Sequence, residues 1–274
     1  MHFITFGSHD NYIDAAVRLC KQAETFKLFS TITAYTGVYL KKDKTFWKQH
    51  GAFVTKHKRG FGYWVWKPYL VLKTMNQMKN GDTLLYLDCG CELDLSEKNY
   101  LLECIKIVKH DKIIGSDTGC IEKVWNKRDI IEFLDMDKEE CLNSTQRQAG
   151  ALLILICDET RELVKEWYHL ACDYHTIDDS PSILPNYPEF KEHRHDQSIF
   201  SLLTKKYNLF STTYIDKHCI KILRNKNGST KLQTNLGWVP VVAYLIYFSF
   251  ILLVQSMYRL HHNRHVLLSR HLQT

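Results

Sequence analysis

An α/β domain with a mostly parallel central sheet, followed by one membrane-crossing helix, is the fold class this sequence predicts. Three observations predict it. Through about the first 220 residues, short apolar runs alternate with longer segments of helical periodicity, the pattern of stacked strand–helix units. The 274 residues are 45% hydrophobic and 24% charged, so the chain can bury a core and is not compositionally disordered. Residues 236–258, LGWVPVVAYLIYFSFILLVQSMY, carry no charge. About 23 such residues are enough to cross a hydrocarbon layer as a helix.

The elements follow in order. HFITFG reads as a buried first strand. DNYIDAAVRLCKQAETF has Ile13, Val17 and Cys20 at helical spacing, with Asp10 or Asn11 as its cap. KLFSTITAY has the β-branched and aromatic content of a second strand. A polar stretch containing Phe46 and Trp47 leads to KRGFGYWVWKPYLVLKTMNQMKNGD. There Pro68 lies near a helix start, and Asn80 and Gly81 stop the helix. TLLYLD is a strand, SEKNYLLECIKIVKH a helix capped by Ser96, and KIIGS another strand. A short helix at KRDIIEFLD, a strand at AGALLILI and a helix at ETRELVKEWYHLACDYH complete the alternation. RNKNGSTKLQTN reads as a polar linker to the membrane helix.

Charge and cysteine content narrow the setting. The net charge of +6 is not gathered into one block, which argues against a nucleic-acid partner. Arg259, Arg264 and Arg270 follow the apolar span and suit a membrane surface instead. Trp238 and Tyr258 stand near the ends of the span, where aromatic rings favour the interface, and Pro240 falls in its first turn. Nine cysteines, an odd number scattered along the chain, point to a reducing compartment. MHFITFGSHDN has no secretory pattern, and Lys221, Arg224, Lys226 and Lys231 precede the span. The expectation is a single-pass C-terminal anchor with its preceding domain in the cytosol. Asn143 and Asn227 begin Asn-x-Ser/Thr sites that matter only if that domain is luminal.

In open α/β sheets, ligands bind beyond the carboxyl ends of the strands. Gly7, Ser8, Asp88, Ser116 and Asp117 all fall there. Asp88 precedes Cys89, Gly90 and Cys91. The stretch is an acid delivered to a crevice, a thiol site, or a strand meeting a turn. A C-x-C pair departs from the usual C-x-x-C spacing and needs two further ligands, so buried reduced thiols are the preferred reading. Tyr63, Trp64 and Trp66 crowd around Lys67, a set that suits a sugar or base ring beside a phosphate, or else an aromatic core with a snorkelling lysine. His193, Arg194, His195 and Asp196 stand together before a helix, where anions bind readily. Asp196 equally serves as an acid that complements the helix dipole.

KRGFGYWVWKPYLVL, GDTLLYLDCGCEL, QRQAGALLIL and HRHDQSIFSLL, in this order, resemble glycosyltransferases of the GT-A nucleotide-diphospho-sugar transferase fold, of the type found in bacteria and large DNA viruses. The resemblance covers about residues 1–220 and implies a single Rossmann-like domain. It is followed by a polar linker at 221–235, the span at 236–258 and a short basic, His-rich tail at 259–274. It implies that Phe6 and Gly7 lie near the nucleotide, that Lys67 meets the diphosphate, and that Gln148, Ala149 and Gly150 line the donor sugar. Asp88 takes the place of the acid that opens an Asp-x-Asp motif for Mn²⁺ or Mg²⁺. The sequence departs from that motif at Gly90, which puts the metal in question. His193 or His195 is the implied completing ligand, and Asp178, Asp179 or Asp196 the implied base. The resemblance implies a glycan, protein or lipid acceptor.

Two other readings differ in class. A sugar nucleotidyltransferase would ordinarily carry a Gly-rich, basic loop after the first strand, and GSHDN is neither. A membrane-tethered binding protein on a degenerate transferase scaffold is the alternative that the missing second acid keeps open.

Overall fold

The structure, a computed structural model, describes residues 1–213 and 215–232. The expected membrane span at 236–258 and the tail beyond it lie outside the described residues. Among the described residues, no helix is long and apolar enough to cross a membrane.

Ten strands occur in the described chain: β1 (His2–Gly7), β2 (Thr31–Thr36), β3 (Thr83–Leu87), β4 (Cys91–Leu93), β5 (Ile113–Gly115), β6 (Asp117–Ile121), β7 (Thr145–Arg147), β8 (Ala151–Leu155), β9 (Ser211–Thr212) and β10 (Ile220–Ile222). Six form the central sheet in the order β2-β1-β3-β8-β5-β9. β1 is parallel to both β2 and β3, and β5 to β9, while β8 is antiparallel to β3 and β5. Five strands therefore run one way and β8 runs the other. The amino end of β8 consequently lies at the edge where its neighbours finish, with Leu87 opposite Ala151.

Strand alternation divides the core into two layers. Ile4, Phe6, Leu84, Tyr86, Leu152 and Ile154 face the layer that holds Leu70, Trp167 and Phe200, which come from the helices Trp66–Met75, Asp158–Ala171 and Asp196–Lys206. Phe3, Leu85, Leu87 and Leu153 face the helices Asp10–Phe26 and Lys98–Asp111 through Leu19, Phe26, Leu101 and Val108. Both faces of the sheet are covered, as its near-continuous apolar strands require.

Several local expectations shift. The first helix spans Asp10–Phe26, but its N-cap is His9, without a side-chain cap bond. The polar stretch around Phe46 and Trp47 is a helix, Lys44–Lys56, whose start is capped by the Asp43 carboxylate accepting from Thr45 and Phe46 N–H. Ser96 does not cap the helix Lys98–Asp111, whose N-cap Glu97 makes no side-chain cap bond; Ser96 lies in a preceding 3₁₀ turn, Leu95–Glu97, which Asp94 caps by accepting from the Ser96 N–H and hydroxyl. The compact unit runs Met1–Leu232, so residues 221–232 of the expected linker belong to the packed domain. β10 pairs with β4, and Asn225 beyond it is fully buried.

Candidate active site

β3 delivers the centre of the site. Tyr86 faces the layer of helices that carries Lys67 and Asp196, and Asp88 follows on the same side, one residue past the strand. Lys67 Nζ lies 2.9 Å from Asp196 Oδ2 and 3.3 Å from Asp88 Oδ1. Tyr86 donates its hydroxyl to that same Asp88 oxygen at 2.5 Å. The Lys67 and Asp196 side chains are 4% and 5% exposed, whereas Asp88 is 43% exposed and is the carboxylate that opens to solvent.

The electrostatics follow from that burial. Burial pushes the Asp196 carboxyl up to about 6, against the pull of Lys67. Its buried Oδ2 has the Lys67 ammonium alone as a partner, with no further donor. Burial also weakens the Lys67 ammonium, but Asp196 and Asp88 more than reverse this and hold its pKa above the ordinary lysine value. Lys67 thus bridges two carboxylates and is not a free cation awaiting a phosphate.

The reversed strand supplies the opposite wall. Asp88 N–H donates to Gly150 O at 2.8 Å. A Cβ on Gly150 would lie 2.7 Å from Asp88 Oδ2, so only glycine leaves the carboxylate its place. Gln148 lines the same cleft, as does Gln197, whose side-chain amide donates to Gln146 Oε1 at 3.0 Å.

The cleft encloses about 610 Å³, in the usual range for small-molecule sites. Phe6 and Trp66 stack at 3.9 Å between ring centroids, and Phe61 and Trp64 extend this aromatic wall. Five successive residues, from Gly60 to Trp64, have positive φ, and this left-handed turn leaves Phe61 and Trp64 on the cleft side and Tyr63 off it. Tyr63 consequently does not line the cleft. It packs between Phe53, His57 and His195. Gly7 does not line it either; a Cβ there would lie 2.3 Å from Tyr12 O, so Gly7 permits the tight turn into the first helix.

The two histidines separate in role. His193 Nε2–H donates to Thr176 O at 2.7 Å, and its Nδ1 accepts from Lys127 N–H at 3.2 Å. With both nitrogens engaged and its pKa pushed down to about 3 by burial, His193 pins a loop and has no free lone pair for a metal. His195 Nδ1–H donates to Ile177 O at 2.7 Å, which leaves Nε2 unprotonated and without a hydrogen bond. Burial lowers the His195 pKa, and its ring lines the cleft, stacked on Trp64 at 5.1 Å. Arg194 lines the cleft with its guanidinium 4.0 Å over the Trp125 ring. Asp179 stands outside it, held by Arg59 at 3.0 Å, and Asp178 is bound to Lys127 and Ser180. Although burial raises it, hydrogen bonds from Tyr63 and Arg59 hold the Asp179 carboxyl below its ordinary value, a poor arrangement for a base.

The metal expectation finds little support in the donor set. Among the described residues, no three His, Cys, Asp or Glu side chains are grouped to share a cation. Gly90, where the second acid of Asp-x-Asp would stand, backs onto the strap 224–232; a Cβ there would lie 3.1 Å from Arg224 Cα. Glu92 does not compensate. It is fully buried beneath the strap, accepting from Asn225 Nδ2, Thr230 Oγ1 and the N–H groups of Lys231 and Leu232. Cys89 and Cys91 are buried, free thiols whose pKa values burial raises, Cys89 to about 12.

Sequence reasoning missed Arg18, which donates to the carbonyls of Cys89, Cys91, Asn225 and Asn227 and so ties the Asp88 turn to the strap. It also missed Arg224 and Lys226 as lining residues. Their only sequence signal is a basic run, which reads as readily as the flank of a membrane span.

No family model matches the chain, and no curated protein does. Among solved structures it is similar to mouse xyloside xylosyltransferase 1 in its apo form, at 11% identity over 77% of this chain and 84% of that one, with a TM-score of 0.41. It is also similar to the galactosyltransferase LgtC in complex with donor and acceptor sugar analogs, at 15% identity over 77% and 73%, TM-score 0.43. A third is a glycosyltransferase involved in the glycosylation of the major capsid of PBCV-1, at 8% identity over 63% and 68%, TM-score 0.34.

Proposed function

We propose that the cleft transfers a sugar from a nucleoside-diphosphate donor to an acceptor hydroxyl. One observation carries this reading: Asp88 and Asp196 share the buried Lys67 ammonium at the end of β3, inside a cleft with an aromatic wall and a cationic rim. Asp196 is the base. Its pKa of about 6 lies close to a working pH, and the residue lines the cleft, with Lys67 as the partner of its Oδ2. The acceptor hydroxyl gives its proton to Asp196 as its oxygen bonds to the anomeric carbon. The bond from that carbon to the diphosphate breaks, and the electron pair leaves with the diphosphate. Asp88, open to the cleft, orients the sugar hydroxyls, and Lys67 positions both carboxylates. The Phe6 and Trp66 rings give the base or sugar a flat apolar surface.

The test is a screen of the purified full-length chain against nucleoside diphospho-sugars, reading release of the nucleoside diphosphate. Asp196→Asn should lower the rate by about 10²–10⁴-fold. Because the base acts ionised, the wild-type rate should rise with pH through about 6, and Asp196→Asn should lose that limb. Donor binding without turnover across the panel would instead favour the binding-protein reading.

Residues 236–258 serve in this proposal as a membrane anchor that leaves the domain in the cytosol, facing a glycan, protein or lipid acceptor. Protease protection of residues 1–232 in sealed vesicles of known orientation checks the sidedness, and a glycan at Asn143 or Asn227 would reverse it.

A further inference from the structure

The strap that closes the fold adds two cations to the cleft, beside Lys58 and Arg194, which line it as well. Arg224 and Lys226 both line the cleft beside Cys89 and Gly90, and neither has an ion-pair partner among the described residues. Arg59, by contrast, is taken by Asp179 and Glu192, and Lys67 by Asp88 and Asp196.

Their placement is built. Asn225, between them, is fully buried: its N–H donates to Gly90 O at 2.9 Å, its carbonyl accepts from Arg18 at 3.1 Å, and its side chain donates to Glu92 at 2.6 Å. With residue 225 pointing inward, its neighbours 224 and 226 are left to the cleft side. Arg224 is held at φ 48°, a left-handed conformation that a non-glycine residue adopts only where its surroundings impose it. Lys226 Nζ rests 5.1 Å from the centroid of the Tyr12 ring, at the mouth of the cleft next to the first strand's end.

The same strap removes the means of holding a cation, because the Arg224 backbone occupies the space a second acid at position 90 would need. We propose that Arg224 and Lys226 take the place of a divalent cation, binding the donor's diphosphate and carrying the charge that collects on it as it leaves. Two side-chain cations match the charge of one divalent ion, and a guanidinium offers a diphosphate paired N–H donors. This deepens the transferase reading and rests on it.

The experiment measures binding of inorganic pyrophosphate and of UDP, GDP and CDP to the full-length chain, in EDTA and again with Mn²⁺. Affinity should agree within about twofold between the two conditions. Arg224→Ala and Lys226→Ala should each weaken binding by about tenfold or more, and Arg224→Lys by less than Arg224→Ala. The melting temperature of each variant should match wild type, since both side chains are exposed. Binding that appears only with Mn²⁺ overturns the inference and leaves the transferase reading standing. Alanine variants that bind like wild type in EDTA do the same. If none of the four ligands binds under either condition, the transferase reading falls and the inference with it.

Discussion

Two buried ion pairs flank the Asp88 turn, and they are built to opposite specifications. Arg18 and Glu92 lie 3.5 Å apart, with side chains 4% and 0% exposed. Every surrounding group satisfies them: Arg18 donates to four carbonyls, and Glu92 accepts from the strap on both oxygens. Lys67 and Asp196 are buried to the same degree, yet Asp196 Oδ2 has the ammonium alone and no further donor. The result shows in the titrations. Burial raises both carboxyls, but hydrogen bonds bring Glu92 down to about 2, whereas Asp196 stays up at about 6. Burial alone therefore does not make a carboxylate structural; completion of its hydrogen bonds does.

The largest effect expected from this contrast is on stability. Arg18→Met leaves Glu92 charged and buried and removes four carbonyl contacts, at a cost of about 3–5 kcal/mol. Lys67→Met should cost clearly less, because burial already holds the Asp196 carboxyl at about 6 and loss of the ammonium raises it further, so that Asp196 escapes its charge by taking up a proton. Denaturant midpoints of the two variants test this, and equal losses would erase the distinction.

The second expectation is a pair of opposed pH slopes. Asp196 has a higher pKa folded than unfolded, so between about pH 4 and 6 the folded state binds more protons and stability falls as pH rises. That fall is worth about 3 kcal/mol in wild type and should vanish in Asp196→Asn. Glu92 is the reverse case. Its stabilisation is fully present above about pH 4.5 and is lost as pH falls toward 2, and Glu92→Gln should flatten that limb. Thermal unfolding across pH 2.5–7 resolves both; parallel slopes in the two variants would contradict the contrast.

The elements of the sheet were largely legible because strand and helix periodicities are local. HFITFG, TLLYLD and AGALLILI all became strands of the central sheet. The direction of β8 was not legible, since an apolar run has no polarity in its pattern, and with it went the reason Gly150 faces Asp88. Asp88, Lys67 and Asp196 were each singled out from their neighbourhoods, but their sharing of one buried ammonium is a matter of packing. Lys67 therefore looked like a phosphate ligand. His193 and His195 are indistinguishable in sequence. They differ in that Lys127 N–H occupies the second nitrogen of one ring and leaves that of the other open. The run around Arg224 looked like a linker because its burial rests on Glu92, more than a hundred residues earlier.

The pairing of β10 with β4 sets Lys221 opposite Glu92 and has a consequence for the order of assembly. Ribosomes extend a chain at about 5–20 residues per second, and closing a long loop carries an entropy cost that only late contacts offset. All but the last of the six central strands, and the Asp88, Lys67 and Asp196 side chains, have been made before residue 211 emerges. Arg224 and Lys226 of the rim have not. A nascent or truncated chain lacking residues 224–232 thus leaves Glu92 without its cover and lacks Arg224 and Lys226, so that under the role proposed for them diphosphate binding gains its last two cations with the final residues of the domain.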